Sequence, residues 1–228
     1  MNAKKTECMV ITKKPVVPKC HLTCKGQEIK QVDTFKYLGC TITTDAKCEA
    51  EIKKRIAMSK DTFTKMKSIF TNRNISLTTK LNTLKAYVWS VLLYGCECWT
   101  LTPGLEKRLE AVEIWFIRRI MRISWTEKMS NEEVMSKSGY TRTLLKTIRK
   151  RQLEFFGHIN RTDGLEKQLL CGKISGKRSI GRQRTKYTDS LNNFTTKKQS
   201  PINDLIRRTD NREEWKSMTV DVCNRPDK

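Results

Sequence analysis

The sequence lacks any apolar run able to cross a bilayer: the longest, Tyr87 to Tyr94, falls far short of the roughly 20 residues a spanning helix needs. Residues 1–25 are studded with lysine and hold no apolar stretch of signal-peptide length, so a nuclear or cytoplasmic setting is expected. Nothing repeats at solenoid periods, and no G-x-x-x-x-G-K-[ST] loop marks a nucleotide site. Only two histidines are present, which leaves little for imidazole catalysis, and no serine, cysteine or carboxylate is spaced to form a triad with His158. Acidic residues are scarce. Asp and Glu together number 24 against 46 Lys and Arg, for a formal net charge of +22.

That excess would repel itself unless a polyanion neutralised it, which makes nucleic acid the leading partner. The cations are spread along the chain instead of forming one amphipathic block, so no membrane partner is expected. The nine cysteines are odd in number and read as reduced thiols. The apolar share is 37% and the charged share 31%, enough for folded helices accompanied by a loose tail.

Short apolar runs with turn signals between residues 4 and 43, including Cys8 to Ile11, His21 to Cys24 before Lys25-Gly26, and Phe35 to Gly39, predict a small antiparallel sheet. From Glu49 the period becomes helical. Ile52, Ile56, Phe63, Met66 and Phe70 form one stripe, and Lys53, Lys54, Lys60, Lys65 and Lys67 occupy much of the rest. Ser76 is the expected N-cap of a second helix carrying Leu77, Leu81, Leu84, Val88, Val91 and Leu92 towards Gly95. Pro103-Gly104 opens a third, with Leu105, Leu109, Val112, Phe116, Ile120 and Ile123 inward and Arg118, Arg119 and Arg122 near its C-terminus, where cations are favourable in any case. A capping box at Ser130 to Glu133 starts a short helix. The next helix, about Arg142 to Ile159, is expected to turn Leu145, Ile148, Phe155 and Ile159 inward and Arg149, Lys150 and Arg151 outward. Past Gly164 the core signal fades into a glycine-interleaved basic tract, expected to order on binding a polyanion, and only one short helix, around Asp210 to Met218, is expected near the end.

Several stretches together resemble one family. Asn2 to Met9 is similar to the N-x-x-K-T-x-x-M strand after the catalytic hairpin of non-LTR (LINE-type) retrotransposon reverse transcriptases, and Phe35-Lys36-Tyr37-Leu38-Gly39 to their F-x-Y-L-G turn. Ser90 to Trp99 resembles the S-x-L-L-Y-G-x-E-x-W element of the thumb, and Arg119 to Trp125 and Arg151 to His158 continue the likeness over roughly residues 1–190. The resemblance implies the end of a palm in residues 1–48, a helical thumb in 49–128 and a basic helical extension in 129–165, and the fading core signal adds a flexible basic tail in 166–228. The expected fold is therefore α+β and mostly α-helical. The implied function is a fragment of an RNA-directed DNA polymerase from a transposable element, with RNA and DNA (a template–primer duplex) and the fingers and palm of the same polyprotein as partners. Phe35, Lys36, Tyr37, Leu38 and Gly39 would form the primer grip, and Lys5 would sit where a lysine assists proton transfer.

The parent family uses Mg²⁺ on paired aspartates, and this sequence contains no Asp-Asp, so no cofactor is expected in this chain and it is expected to be inactive alone. The alternative is a stand-alone RNA- or DNA-binding helical module. In either case the expected nucleic-acid contacts are Lys53, Lys54, Lys60, Lys65, Arg118, Arg119, Arg122, Arg149, Lys150, Arg151, Lys173, Lys177, Arg178, Arg182, Arg184 and Lys186.

Other clusters have plainer readings. Cys20, His21 and Cys24 crowd zinc-type ligands but lack a fourth, so packing thiols are favoured over a metal site, and Cys96 and Cys98 are not spaced as a C-x-x-C redox pair. Glu132-Glu133 and Glu213-Glu214 suit capping and solvation. His158 is expected to pack beside Phe155 and Phe156. The helical surroundings of Trp89, Trp99, Trp115 and Trp125 favour core packing over base stacking.

Overall fold

Short strands without sustained alternation cannot build a broad sheet, and residues near the N-terminus form only isolated pairs. The structure, a computed structural model, describes residues 2, 5–12, 16–171, 183–195 and 202–224. Contacts group the chain into two units, Met1–Ala57 and Met58–Lys228.

In the first unit β1 (Glu7–Cys8) pairs in parallel with β4 (Lys30–Gln31), β2 (Thr23–Cys24) pairs antiparallel with β3 (Gln27–Glu28), and β5 (Thr34–Tyr37) pairs antiparallel with β6 (Cys40–Thr43). Among the described residues the expectation of one antiparallel sheet is corrected to three two-stranded ladders, one of them parallel. Lys25 and Gly26 both take positive φ, as a two-residue hairpin turn of matching twist requires. Leu38 (φ 45°) and Gly39 (φ 82°) do the same between β5 and β6.

This second hairpin is fastened to helix α1 (Glu49–Lys65) by a buried ion pair. Arg55 donates from Nε to Glu51 at 2.6 Å and from Nη2 to the Gly39 carbonyl at 2.7 Å, while the Thr41 amide donates to Glu51 at 2.7 Å. Burial works to raise the Glu51 pKa, but the Arg55 guanidinium and the Thr41 donors outweigh it and hold the carboxyl below its ordinary value.

The division between the units falls inside α1. In the second unit α2 (Lys67–Phe70) follows at once, then α3 (Leu77–Thr83), a π-helical turn (Leu84–Val88) and α4 (Trp89–Leu92) make one continuous run. Ser76 caps α3 as expected, its Oγ accepting from the Thr79 amide at 3.2 Å. Next come α5 (Pro103–Met121), α6 (Asn131–Ser138) with its capping box intact, and α7 (Leu144–Arg161). The chain is thus α+β and mostly helical. Leu84, Val88, Leu92, Val112 and Phe116 are all buried, as their spacing predicts. Phe63 stacks on Phe70 with ring centroids 4.3 Å apart and tilts against Phe116 at 5.2 Å, closing one end of this core.

Two expectations need correction. On α7 the buried stripe is Leu144, Ile148, Gln152, Leu153, Phe156 and Asn160, with Leu145, Phe155 and Ile159 only half-buried and His158 exposed. The helix packs against α5 and also against helices nearer the C-terminus, which rotates its inner face. Among the described residues the tail is also more helical than expected, with α8 (Leu165–Leu170), α9 (Tyr187–Thr195), α10 (Ile202–Arg208) and α11 (Arg212–Asn224). Leu191, Leu205 and Trp215 join Leu153 and Phe156 in a second apolar cluster. The anchors are single residues widely spaced in sequence, too sparse to give a periodic signal.

Stretches that resembled one family in sequence meet here. Gln152 is fully buried and donates from Nε2 to the Cys96 and Trp99 carbonyls at 3.0 and 2.9 Å, and Arg151 reaches the Leu93 carbonyl at 3.3 Å. The Tyr187 hydroxyl closes the junction, donating to the Glu97 carbonyl at 2.8 Å.

Candidate nucleic-acid interface

A helix that ends in Met121-Arg122 without glycine must still satisfy its last carbonyls. Arg122 takes the left-handed conformation (φ 57°) that glycine usually supplies, and the Ile123 amide bonds back to the Arg118 carbonyl at 2.9 Å. A non-glycine residue there costs about 1–2 kcal/mol. Its guanidinium donates to the Thr71 carbonyl, tying the C-terminus of α5 to the end of α2.

Around this turn lies a cavity of about 430 Å³ whose lining includes Lys67, Arg118, Arg119 and Arg122 with the rings of Phe63 and Trp115, and no carboxylate. Trp115, half-buried, carries two cations: Arg119 Cζ lies 4.2 Å and Lys60 Nζ 5.0 Å from its ring centre. Nearby Lys80 is largely buried, and burial together with the Arg122 guanidinium holds its ammonium below the ordinary lysine value. Positive charge is therefore concentrated at one end of the bundle, over an aromatic surface, where an anion would relieve the repulsion.

The expected contacts distribute unevenly. Lys60, Arg118, Arg119 and Arg122 converge on this end. Arg118 is partly committed, since Nη2 donates to the Met129 carbonyl at 2.5 Å and to Asn131 at 3.1 Å. Lys65 pairs with Asp61 on the exposed side of α1 at 2.7 Å, an interaction worth well under about 1 kcal/mol and open to competition. In the other unit Lys53 pairs with Glu49 at 2.6 Å and Lys54 donates to Thr41 at 2.8 Å.

The outward trio of α7 is corrected: Arg149 lies 3.4 Å from Glu106 and Arg151 3.7 Å from Glu97, both partly buried, and Lys150 alone of the three is exposed. Successive helical residues point about 100° apart and cannot share one face. Arg184 and Lys186 are exposed at the start of α9, whereas Lys173, Lys177, Arg178 and Arg182 lie outside the described residues.

In the first unit Lys5 is exposed beside β1, its amide bonded to the Asn2 carbonyl at 3.1 Å. The Phe35 to Gly39 hairpin exposes Phe35, Lys36, Tyr37 and Leu38. Among the described residues, no group of three or more His, Cys, Asp or Glu side chains is placed to hold a metal ion, and no helix is long and apolar enough to cross a membrane.

Sequence reasoning missed several partners. Trp115 reads as core by its spacing, yet it is the platform for Lys60 and Arg119. Glu113, one turn from Phe116 on the buried side of α5, is almost fully buried and accepts from the Tyr140 hydroxyl at 2.7 Å and from the Thr143 and Leu144 amides at 2.9 Å. It thereby caps α7, whose own N-cap position, Thr143, makes no side-chain cap. Burial pushes the Glu113 carboxyl above its ordinary pKa despite these donors. A lone acidic residue inside an apolar stripe was the available signal.

No protein-family model matches the chain, and no solved structure matches it significantly. The chain is 28% identical over 173 residues to an uncharacterized transposon-derived protein of Caenorhabditis elegans, a match covering 72% of this chain and 61% of that protein. The match thus spans about three-fifths of that relative's length, and it supports a transposon origin for this sequence.

Proposed function

We propose that this chain is the nucleic-acid-gripping, C-terminal part of a retrotransposon reverse transcriptase of the non-LTR class, holding the template–primer duplex against the end of α5. The observation that carries the proposal is the carboxylate-free cluster of Lys67, Arg118, Arg119 and Arg122 beside Trp115, to which Lys60 adds a further cation. Such a surface suits phosphate backbone rather than base edges, since cations attract phosphates whatever the sequence. The resemblance of Asn2 to Met9, Phe35 to Gly39, Ser90 to Trp99 and Arg151 to His158 to this family supports the same reading, as does the transposon-derived relative. Within it, the exposed Phe35, Tyr37 and Leu38 would contact the primer strand, and Mg²⁺ would be bound by aspartates of the palm, which this sequence does not contain.

The test is a titration of an RNA–DNA primer–template duplex by fluorescence anisotropy. Neutralising about six phosphates predicts a fall in affinity of roughly three orders of magnitude between 50 and 200 mM salt. Replacing Lys60 and Arg119 together by alanine should reduce the log–log salt slope by about two. A flat salt response, or an unchanged slope in this variant, overturns the reading. A stand-alone binding module would pass this test equally. It is distinguished by joining the chain to fingers and palm from an intact element of the same class, where the proposed reading requires primer extension that depends on Phe35 to Gly39.

A further inference from the structure

Away from the end of α5, the exposed sides of α7 and α11 enclose a groove of about 340 Å³. Lys150, His158 and Arg161 line it from α7, Arg212 and Lys216 from α11, and Trp215 forms its floor. Glu154 is the one carboxylate of the lining, 3.9 Å from Lys150 in an exposed and therefore weak pair. Arg161 is held in place by a bond from Nη1 to the Thr209 carbonyl at 3.0 Å. Four basic side chains and a histidine thus face one carboxylate across a concave surface. The cations come from helices about 50 residues apart in sequence, so helical spacing alone does not account for their convergence.

We propose that this groove is a second nucleic-acid contact, binding the phosphodiester backbone. Trp215 is only 3% exposed and turns its indole N–H to the Leu153 carbonyl, so it offers no free face for stacking a base. Recognition here is by charge, without base preference. Of the cations that the sequence marks as contacts, only Lys150 belongs to this surface. The site therefore extends the bound strand beyond the bundle end instead of restating it.

Its two histidines give the chain an internal probe. His158 lines the groove, while His21 is exposed in the other unit. Diethyl pyrocarbonate should modify both in the free full-length chain. A saturating RNA–DNA duplex should slow modification at His158 several-fold and leave His21 unchanged, as read by peptide mass mapping. Separately, Lys150→Ala with Lys216→Ala, both at exposed positions, should lower the salt slope by about two while leaving the circular dichroism spectrum unchanged. Duplexes of differing base composition should protect His158 alike.

Equal reactivity of His158 with and without bound duplex overturns the inference, and so does an unchanged slope. Protection of His158 by polyaspartate to the same degree would overturn the nucleic-acid assignment in favour of an acidic polypeptide. If duplex binding depends on Lys60 and Arg119 but His158 stays reactive, the inference falls and the bundle-end reading stands. If His158 is protected while the Lys60 and Arg119 variant binds normally, the reverse holds. Absence of any duplex binding removes both.

Discussion

The indole of Trp215 donates from Nε1 to the backbone carbonyl of Leu153 at 3.0 Å and lies so close to α7 that a Cβ on Gly157 would stand 2.3 Å from that nitrogen. Gly157 is thus the position at which α11 approaches α7. Without the glycine, the ring that anchors the C-terminal helices could not sit where it does. Its cost inside a helix, about 1 kcal/mol against alanine, is offset by the burial it permits.

Gly157→Ala therefore sets two effects against each other. Helix propensity favours alanine by about 1 kcal/mol, but the methyl collides with two indole atoms and forces displacement worth about 1–3 kcal/mol. Net destabilisation in urea unfolding is expected, together with faster proteolysis between α9 and α11. A gain in stability would show that the ring has room to move.

Glu113→Ala should destabilise by at least about 2 kcal/mol, because the Thr143 and Leu144 amides and the Tyr140 hydroxyl lose their shared acceptor. Glu113→Gln retains an acceptor oxygen and should cost less. Burial raises the carboxyl pKa on folding, so folding shifts the balance towards its neutral form. Its contribution to stability is fully present below the unfolded pKa and falls as pH rises through the folded one. The glutamine variant should accordingly gain on the wild type as pH rises above the ordinary glutamate value of about 4.3. Constant relative stability over that range would contradict the burial argument.

At Arg122, glycine and alanine both remove the guanidinium, and only the glycine relieves the left-handed backbone. Arg122→Gly should be about 1 kcal/mol more stable than Arg122→Ala, while both weaken duplex binding equally. Chemical denaturation and anisotropy measure the two quantities separately, and equal stabilities would mean the turn is unstrained.

Burial pushes the Cys96 thiol up to about 12, with Glu97 adding to the effect, whereas Cys98 is exposed. The nucleophile is the thiolate, so iodoacetamide at about pH 8 should label Cys98 and spare Cys96 until the chain unfolds. Equal labelling of the native chain would place Cys96 at the surface.

Residues 1–228 should extend no primer with either Mg²⁺ or Mn²⁺, because two-metal nucleotidyl transfer needs carboxylates that bridge both ions and the sequence has no Asp-Asp. A gel assay on a primed RNA template is sufficient, and any extension product would relocate the catalytic centre into this chain.

The sequence by itself determined what depends on local pattern and on totals. Apolar period marked Leu84, Val88, Leu92, Val112 and Phe116 as core, and Ser76 and the Ser130–Glu133 box marked helix starts, because caps and amphipathic stripes are properties of neighbouring residues. The charge of +22 is likewise a total that needs no coordinates. What the tertiary structure alone decided is which charges meet and which are used up. Arg149 and Arg151 are spent against Glu106 and Glu97, while Lys60 and Arg119 reach one indole from different helices. Trp215 is fixed by a glycine well over 50 residues earlier in the chain. No window along the chain contains both partners of such contacts, and the helix packing that joins them follows from summed burial, which no single periodicity encodes.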